Sequence, residues 1–402
     1  MGVLFASPSR GKEIFSFEYD QNWLKSSHAQ TLDPSLQLFR GQQYAPEDVI
    51  NFRLFLDSSP DRWGRVLMQR REEQCAREEK REKRTLLESD YLLGVYDGHR
   101  MGGLRFRLNP EGPFLDSDTS RTTPPWTSLR ELEHASLELE KDHAEKKPDY
   151  AKWLKMLIAP GTSLGGARPK ASVVDKHKHL WIAKFPSRTD RVDKGAWEEV
   201  VQRLARNAGI RVAPTQTRVF GSQRHTFMTK RFDRNDAGER LHFASAMTLL
   251  QRSDGDDAST GASYLELAEF LVKQGSKPNE DLEELWKRIV FFICISNVDD
   301  HLRNHGFLLE TQGWRLAPAY DMNPDPLGDG LKLNISETDN SQNLELAGNV
   351  ADIFRVKRQK RKDIIQNITR VTRKWRAVAE DLSISKKEQD LMQPAFRVAE
   401  KM

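Results

Sequence analysis

Seven consecutive apolar residues, Ile289 to Ile295, run directly into the polar segment SNVDDHLRNHGF, Ser296 to Phe307. Such a run has to sit in a core, so the loop that leaves it starts from a rigid base. Leu265 to Lys273 and Leu282 to Ser296 carry apolar residues at three- and four-residue spacing, the period of helices packed on one face. In the loop, Asp299 and Asn304 stand five positions apart, and a third oxygen-bearing side chain, Asp321, follows in APAYDMNP. Phosphoryl transfer asks a protein for little covalent chemistry: a carboxylate aimed at the acceptor hydroxyl, and oxygen ligands that hold Mg²⁺ against ATP phosphates. Asp299 suits the first role; Asn304 and Asp321 suit the second. Arg303 is expected to meet a phosphate or the loop, Asp300 to cap or orient it, and His301 to bond backbone near Asp321. A rival use of the same stretch is a hydrolytic metal site ligated by Asp299, His301, His305 and Asp321.

At 402 residues the chain suits two or three domains. Hydrophobic residues are 38% and charged residues 30%, the balance of a polar globular protein. A net charge of +4 does not by itself argue for nucleic acid, which calls for a concentrated basic face. The two cysteines, Cys75 and Cys294, lie far apart in helix-like stretches, which argues against a disulfide framework or a zinc site and for a reducing, cytoplasmic setting. The apolar run is far short of the roughly 20 residues a membrane span needs. The first residues, MGVLFASPSRGKEIF, lack the apolar core of a signal peptide.

Along the chain, GVLFA, EIFSFEY and GGLRFRL read as short strands. Arg65 to Arg84 reads as a charged helix with a solvated face, and 131–146 as helical. A shift to Pro, Ser, Thr, Asp and Gly at 110–125 marks a boundary. The expected division is an N-terminal subdomain at 1–115, a nucleotide-binding part at 116–240 and a helical part at 241–402. One helix, Ala196 to Ala208, interrupts the strands of the middle part and is closed by Gly209. The basic stretches 69–84 and 355–376 read as solvated helix faces, with contact to DNA as the alternative.

Three segments of the middle part could serve a nucleotide. Gly161 to Lys170, GTSLGGARPK, places three glycines and two hydroxyls in six residues, so backbone N–H groups could approach phosphate oxygens; an ordinary hairpin loop is the alternative. It is no Walker A loop, for it lacks the Gly-Lys-Ser/Thr ending. Lys184 closes the apolar strand LWIAK, where a buried ammonium needs an anion, unless it sits on the strand's wet face. Glu198 and Glu199 on the following helix could hold that lysine, or be surface charge. Lys230 to Phe232, in TFMTKRFDR, fall where a hinge would touch adenine through its backbone. The order of these parts, ending in Asp299, Asn304 and Asp321, is that of protein-kinase-like sites.

With these residues in place the chain resembles the HipA family of bacterial serine/threonine kinases, the toxins of toxin–antitoxin modules. The matching segments are LDSSPDRWG at 56–64, MGGLRF at 101–106, SLGGARPKA, IAKFPS, KRFDR, NVDDHLRN and APAYD. The resemblance implies an α+β, two-lobed protein-kinase-like fold, with a mixed N-terminal lobe preceded by a family-specific subdomain and a mainly helical C-terminal lobe. It implies ATP and Mg²⁺, a protein substrate such as an aminoacyl-tRNA synthetase, and a helix-turn-helix antitoxin through which alone DNA is met. It gives Ser163 (or Thr162 beside it) the role of an autophosphorylated loop residue, Lys170 a place near the nucleotide phosphates with Gly165 and Gly166, and Lys184 that of the ATP lysine. Asp299 becomes the catalytic base, with Asn304 and Asp321 as metal ligands. A phosphate of about −1.5 to −2 charge on that loop would repel those of ATP. Val298 before Asp299 and Met322-Asn323 after Asp321 depart from ordinary protein kinases, so their activation-segment logic does not transfer. Two other readings stand beside it: a kinase of small molecules, and a catalytically weak fold that binds an antitoxin as co-repressor.

Overall fold

The alternation in KEIFSFEY does what period two predicts. In the computed structural model, which describes residues 1–27, 29–115, 123–158 and 166–401, strand Lys12–Tyr19 buries Phe15, Phe17 and Tyr19. It pairs antiparallel with Gly2–Ser9, with Gly2 opposite Tyr19 and Ser9 opposite Lys12. The turn between them, Arg10-Gly11, has positive φ at both residues (47° and 79°), as a two-residue hairpin with right-handed strand twist requires. A third short strand, Gln42–Tyr44, lies on the other side of Lys12–Tyr19.

These strands belong to the first of two compact units, made of Met1–Arg188 and Asp233–Ala244. Helix Arg62–Glu78 starts on Asp61, whose carboxylate accepts from the Gly64 N–H at 2.7 Å. It ends well before Arg84, because Lys80 takes a left-handed φ of 52°. Helix Leu129–Leu139 buries Leu129, Leu132, Ala135 and Leu139 and packs on helix Tyr150–Ile158, which also meets Arg62–Glu78. Hairpin Lys170–Val174/Leu180–Lys184 sets Lys170 directly opposite Lys184.

GGLRFRL is not a strand. The Gly102 N–H goes to the Asp233 carboxylate at 2.8 Å instead of to a neighbouring strand. Gly102 has φ +72°, and a Cβ there would stand 2.9 Å from the Phe243 backbone nitrogen, so the apolar pattern of the segment serves close packing rather than pairing.

The second unit comprises Thr189–Phe232 and Ser245–Met402. Helix Lys194–Asn207 is capped by Asp193 and ends at Gly209, φ +80°. Hairpin Thr215–Val219/His225–Lys230 follows, then helix Tyr264–Gln274, opened by a Ser263/Glu266 capping box. The centre of the unit is helix Pro278–Ile295, buried without interruption from Arg288 to Ile295. Helices Tyr264–Gln274, Arg358–Thr372 and Arg397–Lys401 pack around it. Each large apolar side chain so buried contributes about 1.5–3 kcal/mol. The fold is thus mixed α and β. Among the described residues, no helix is long and apolar enough to cross a membrane.

Candidate active site

The buried helix Pro278–Ile295 stops because Ser296 turns left-handed (φ 49°) and returns its N–H to Phe292. The Asn297 N–H bonds the same carbonyl at 3.0 Å. The loop then closes through three bonds of its own. His301 N–H donates to the Asp299 carbonyl at 3.0 Å and Asn304 N–H to the His301 carbonyl at 2.8 Å. The Asn304 side-chain Nδ2 donates to the Asp299 carbonyl at 3.0 Å. That last bond uses the donor end of the amide and leaves Oδ1 as the end that can meet a cation. Asn304 is only 8% exposed, while Asp299 stands exposed.

Beneath the loop, the buried Asp300 carboxylate accepts from the Tyr264 hydroxyl at 2.6 Å and bonds His305 Nε2 at 2.7 Å. Burial and the neighbouring carboxylate push the Tyr264 hydroxyl well above its ordinary value, so it remains a donor. Asp300 is thereby anchored beneath the loop, and His305 is held in the core. His301 behaves differently from expectation: its Nδ1 is buried with no hydrogen-bond partner, so that nitrogen makes no bond to backbone near Asp321.

Asp321 is reached from the same base. Asn297 Oδ1 accepts from the Asn323 N–H at 3.1 Å. Upstream, buried Arg288 is held by Glu284 and donates to the Ala317 carbonyl at 2.7 Å, and Asp281 accepts from the Leu316 N–H at 3.0 Å. Asp321 itself has φ 55°, a left-handed conformation that Asp tolerates better than most residues. Tyr320 donates its hydroxyl to the Arg303 carbonyl at 2.6 Å and packs its ring 5.5 Å from Phe232. The second unit thus gathers Asp299, Asn304, the Asp321 loop and Phe232. Lys230 sits at the end of its strand, its N–H bonded to the Pro214 carbonyl at 2.9 Å. The exposed Arg303 guanidinium lies 3.5 Å from Asp254. The rival metal site fails on geometry: among the described residues, no three His, Cys, Asp or Glu side chains are gathered as metal ligands would be.

The first unit carries the lysines. Lys170 and Lys184 are cross-strand partners, so their side chains leave the sheet on one face with Cβ atoms about 5 Å apart. Both are buried, Lys184 at 9% exposure and Lys170 at 2%. Lys170 Nζ contacts Asp61 Oδ2 at 2.8 Å and the Gly166 carbonyl at 3.3 Å. Stripping one partner from a buried pair of this kind costs about 3–5 kcal/mol. Glu198 and Glu199, in the second unit, are both buried rather than surface charge; Glu199 is engaged by Arg203 at 2.8 Å. Thr162, Ser163 and Gly165 lie outside the described residues.

Sequence reasoning passed over Asp61, Tyr264 and Asn297. For Asp61 the signal was present: an Asp after Pro60 and before Arg62-Trp63-Gly64 is a helix N-cap. For the other two there was none, since their partners are set by packing.

A family model described as the HipA-like C-terminal domain matches residues 162–375, more than half of the chain. A protein of Sinorhizobium fredii that provisionally bears the name of a kinase, Y4mE, is 29% identical over 148 residues, which is 35% of this chain and 33% of that protein. Another, from Haemophilus influenzae and also provisionally named a kinase, is 27% identical over 179 residues, 40% of this chain and 52% of that one. The chain thus spans between a third and about half of the length of these curated relatives. Among solved structures, a chain of the complex of HipA, HipB and operator DNA from Shewanella oneidensis superposes with a TM-score of 0.61 at 18% identity, covering 99% of this chain and 95% of that one. At that identity the likeness is one of fold.

Proposed function

The chain belongs to the HipA-like C-terminal domain family, and from that premise we propose that it is an ATP-dependent serine/threonine protein kinase acting as the toxin of a toxin–antitoxin module. The observation that carries this reading is the Asn304 side chain on the Asp299 carbonyl at 3.0 Å. One bond ties Asn304 to the base-bearing residue through the donor end of its amide and leaves the oxygen as the end that can accept or ligate. A hydroxyl of the substrate protein gives its proton to Asp299 as its oxygen bonds the γ-phosphorus, and the bond from that phosphorus to ADP breaks. The candidate ligands, the Asn304 amide oxygen and the Asp321 carboxylate, are hard oxygen donors of the kind Mg²⁺ takes. When bound, the ion supplies positive charge against the phosphate oxygens. Lys170 and Lys184 serve the phosphates beside Gly165 and Gly166, and Lys230 and Phe232 the base.

In this reading the lobes are two, with a subdomain at 1–115, a nucleotide-binding lobe at 116–240 and a helical lobe at 241–402. The protein works in the cytoplasm. Its substrate is a translation component such as an aminoacyl-tRNA synthetase, and its partner a helix-turn-helix antitoxin that carries it to DNA. Autophosphorylation of Ser163 (or Thr162) switches it off. Intact mass after incubation with Mg²⁺-ATP, compared with Asp299→Asn, tests the reading. We expect one phosphate on the wild type alone, mapping to 161–166. Equal phosphate on both proteins, or none on either together with no labelled protein in a cell extract, would overturn it.

A further inference from the structure

LDSSPDRWG, the block at 56–64, has no task in the transfer reaction just described, yet it reaches the nucleotide-binding hairpin. Asp61 uses its two oxygens separately. Oδ1 caps helix Arg62–Glu78 through the Gly64 N–H at 2.7 Å, and Oδ2 meets Lys170 Nζ at 2.8 Å. Two further bonds from Trp63 lock the same place: its indole N–H to the Lys170 carbonyl at 3.2 Å and its backbone N–H to the Gly166 carbonyl at 3.4 Å. The block is itself anchored, since buried Arg100 donates to the Ser58 carbonyl at 3.0 Å.

We propose that Asp61 is a positioning residue for nucleotide binding, which holds the Lys170 ammonium for the ATP phosphates through a buried ion pair. The proposal rests on the kinase reading. A helix cap alone would not need a lysine, since Ser or Asn caps as well. A buried ammonium whose only task was packing would be replaceable by an apolar side chain of similar size. What sets this pair apart is its place. Lys170 stands opposite Lys184 on one face of the hairpin, at the edge of the Gly-rich segment. Two like charges so close repel unless anions meet them. Asp61 offsets one of them within the protein and fixes the direction of its side chain.

The test is a double-mutant cycle on the full chain, with Asp61→Asn, Lys170→Met and the double variant. Mg²⁺-ATP binding is read by calorimetry and transfer by initial rates. Asp61→Asn should raise Kd and KM for ATP about tenfold, the loss of one charged hydrogen bond, and leave kcat within about threefold. The double variant should bind no worse than Lys170→Met alone, because Asp61 acts only through that lysine. Unchanged ATP binding in Asp61→Asn, or losses that add in the double variant, would overturn the inference. If Asp61→Asn does not fold, Asp61→Ser keeps a helix cap and removes the charge. A wild type that binds no Mg²⁺-ATP would sink the kinase reading. Coupling between the two positions would then be read from urea midpoints, where additive losses would deny the ion pair itself.

Discussion

The candidate catalytic loop after Ile295 and the lysine hairpin at 170–184 both present charged groups, but they are held in opposite ways. In the loop the decisive bonds are local: Asn304 reaches back five residues to Asp299, and Ser296 and Asn297 return to Phe292. In the hairpin the decisive bond comes from 109 residues away, where Asp61 meets Lys170. A local device can be carried wherever a buried helix ends. A distant one makes the chemistry depend on a block of chain that takes no part in it.

If the loop is self-contained, Asn304→Ala should abolish transfer while sparing the fold. We expect kcat to fall by about 100-fold or more, with the midpoint of thermal unfolding within a few degrees of wild type. A large fall in stability would break the comparison, for it would show the loop bond to be part of the core. In the first unit, to which the hairpin belongs, stability should carry a pH signature. His242 lies against Gly103, and burial pushes its imidazole down to about 4. The folded state thus keeps it neutral while the unfolded chain takes up a proton at about pH 6.5. Stability is full above that pH and falls as pH drops toward 4, by on the order of 2 kcal/mol at pH 5. His242→Asn should flatten this slope in urea unfolding at pH 5 and 7; an unchanged slope would place its origin elsewhere. The smallest effect sharpens the contrast. Tyr264→Phe removes one of two groups bonded to Asp300, from 36 residues upstream. The loop's distant support should cost about 1 kcal/mol in unfolding and lower kcat without raising KM for ATP.

This contrast also explains what the sequence could convey. Asp299 and Asn304 stood out as candidates because a pair five positions apart is read within one loop, and the helix beneath them was legible from a run of seven apolar residues. The hairpin's strand was legible too, but not its electrostatics: nothing within reach of Lys170 in the sequence names Asp61 as its partner. GGLRFRL misled for the same reason. Its apolar alternation has the period of a strand, while the partner that takes its backbone donor, Asp233, lies 131 residues on. Helix Tyr150–Ile158 was also missed, since a single short segment gives little period to read.

The interleaving of the two units has a consequence for synthesis on the ribosome. The first unit needs Asp233–Ala244 as well as Met1–Arg188. Gly102 therefore waits for the acceptor of its N–H until Asp233 has emerged. At translation speeds of about 5–20 residues per second, the 44 residues from 189 to 232 add about 2–9 s to that wait. Asp299, Asn304 and Asp321 are made only afterwards. A ribosome stalled before Asp299 holds a first unit with all its parts, while the candidate base and metal ligands of the second are still to be made.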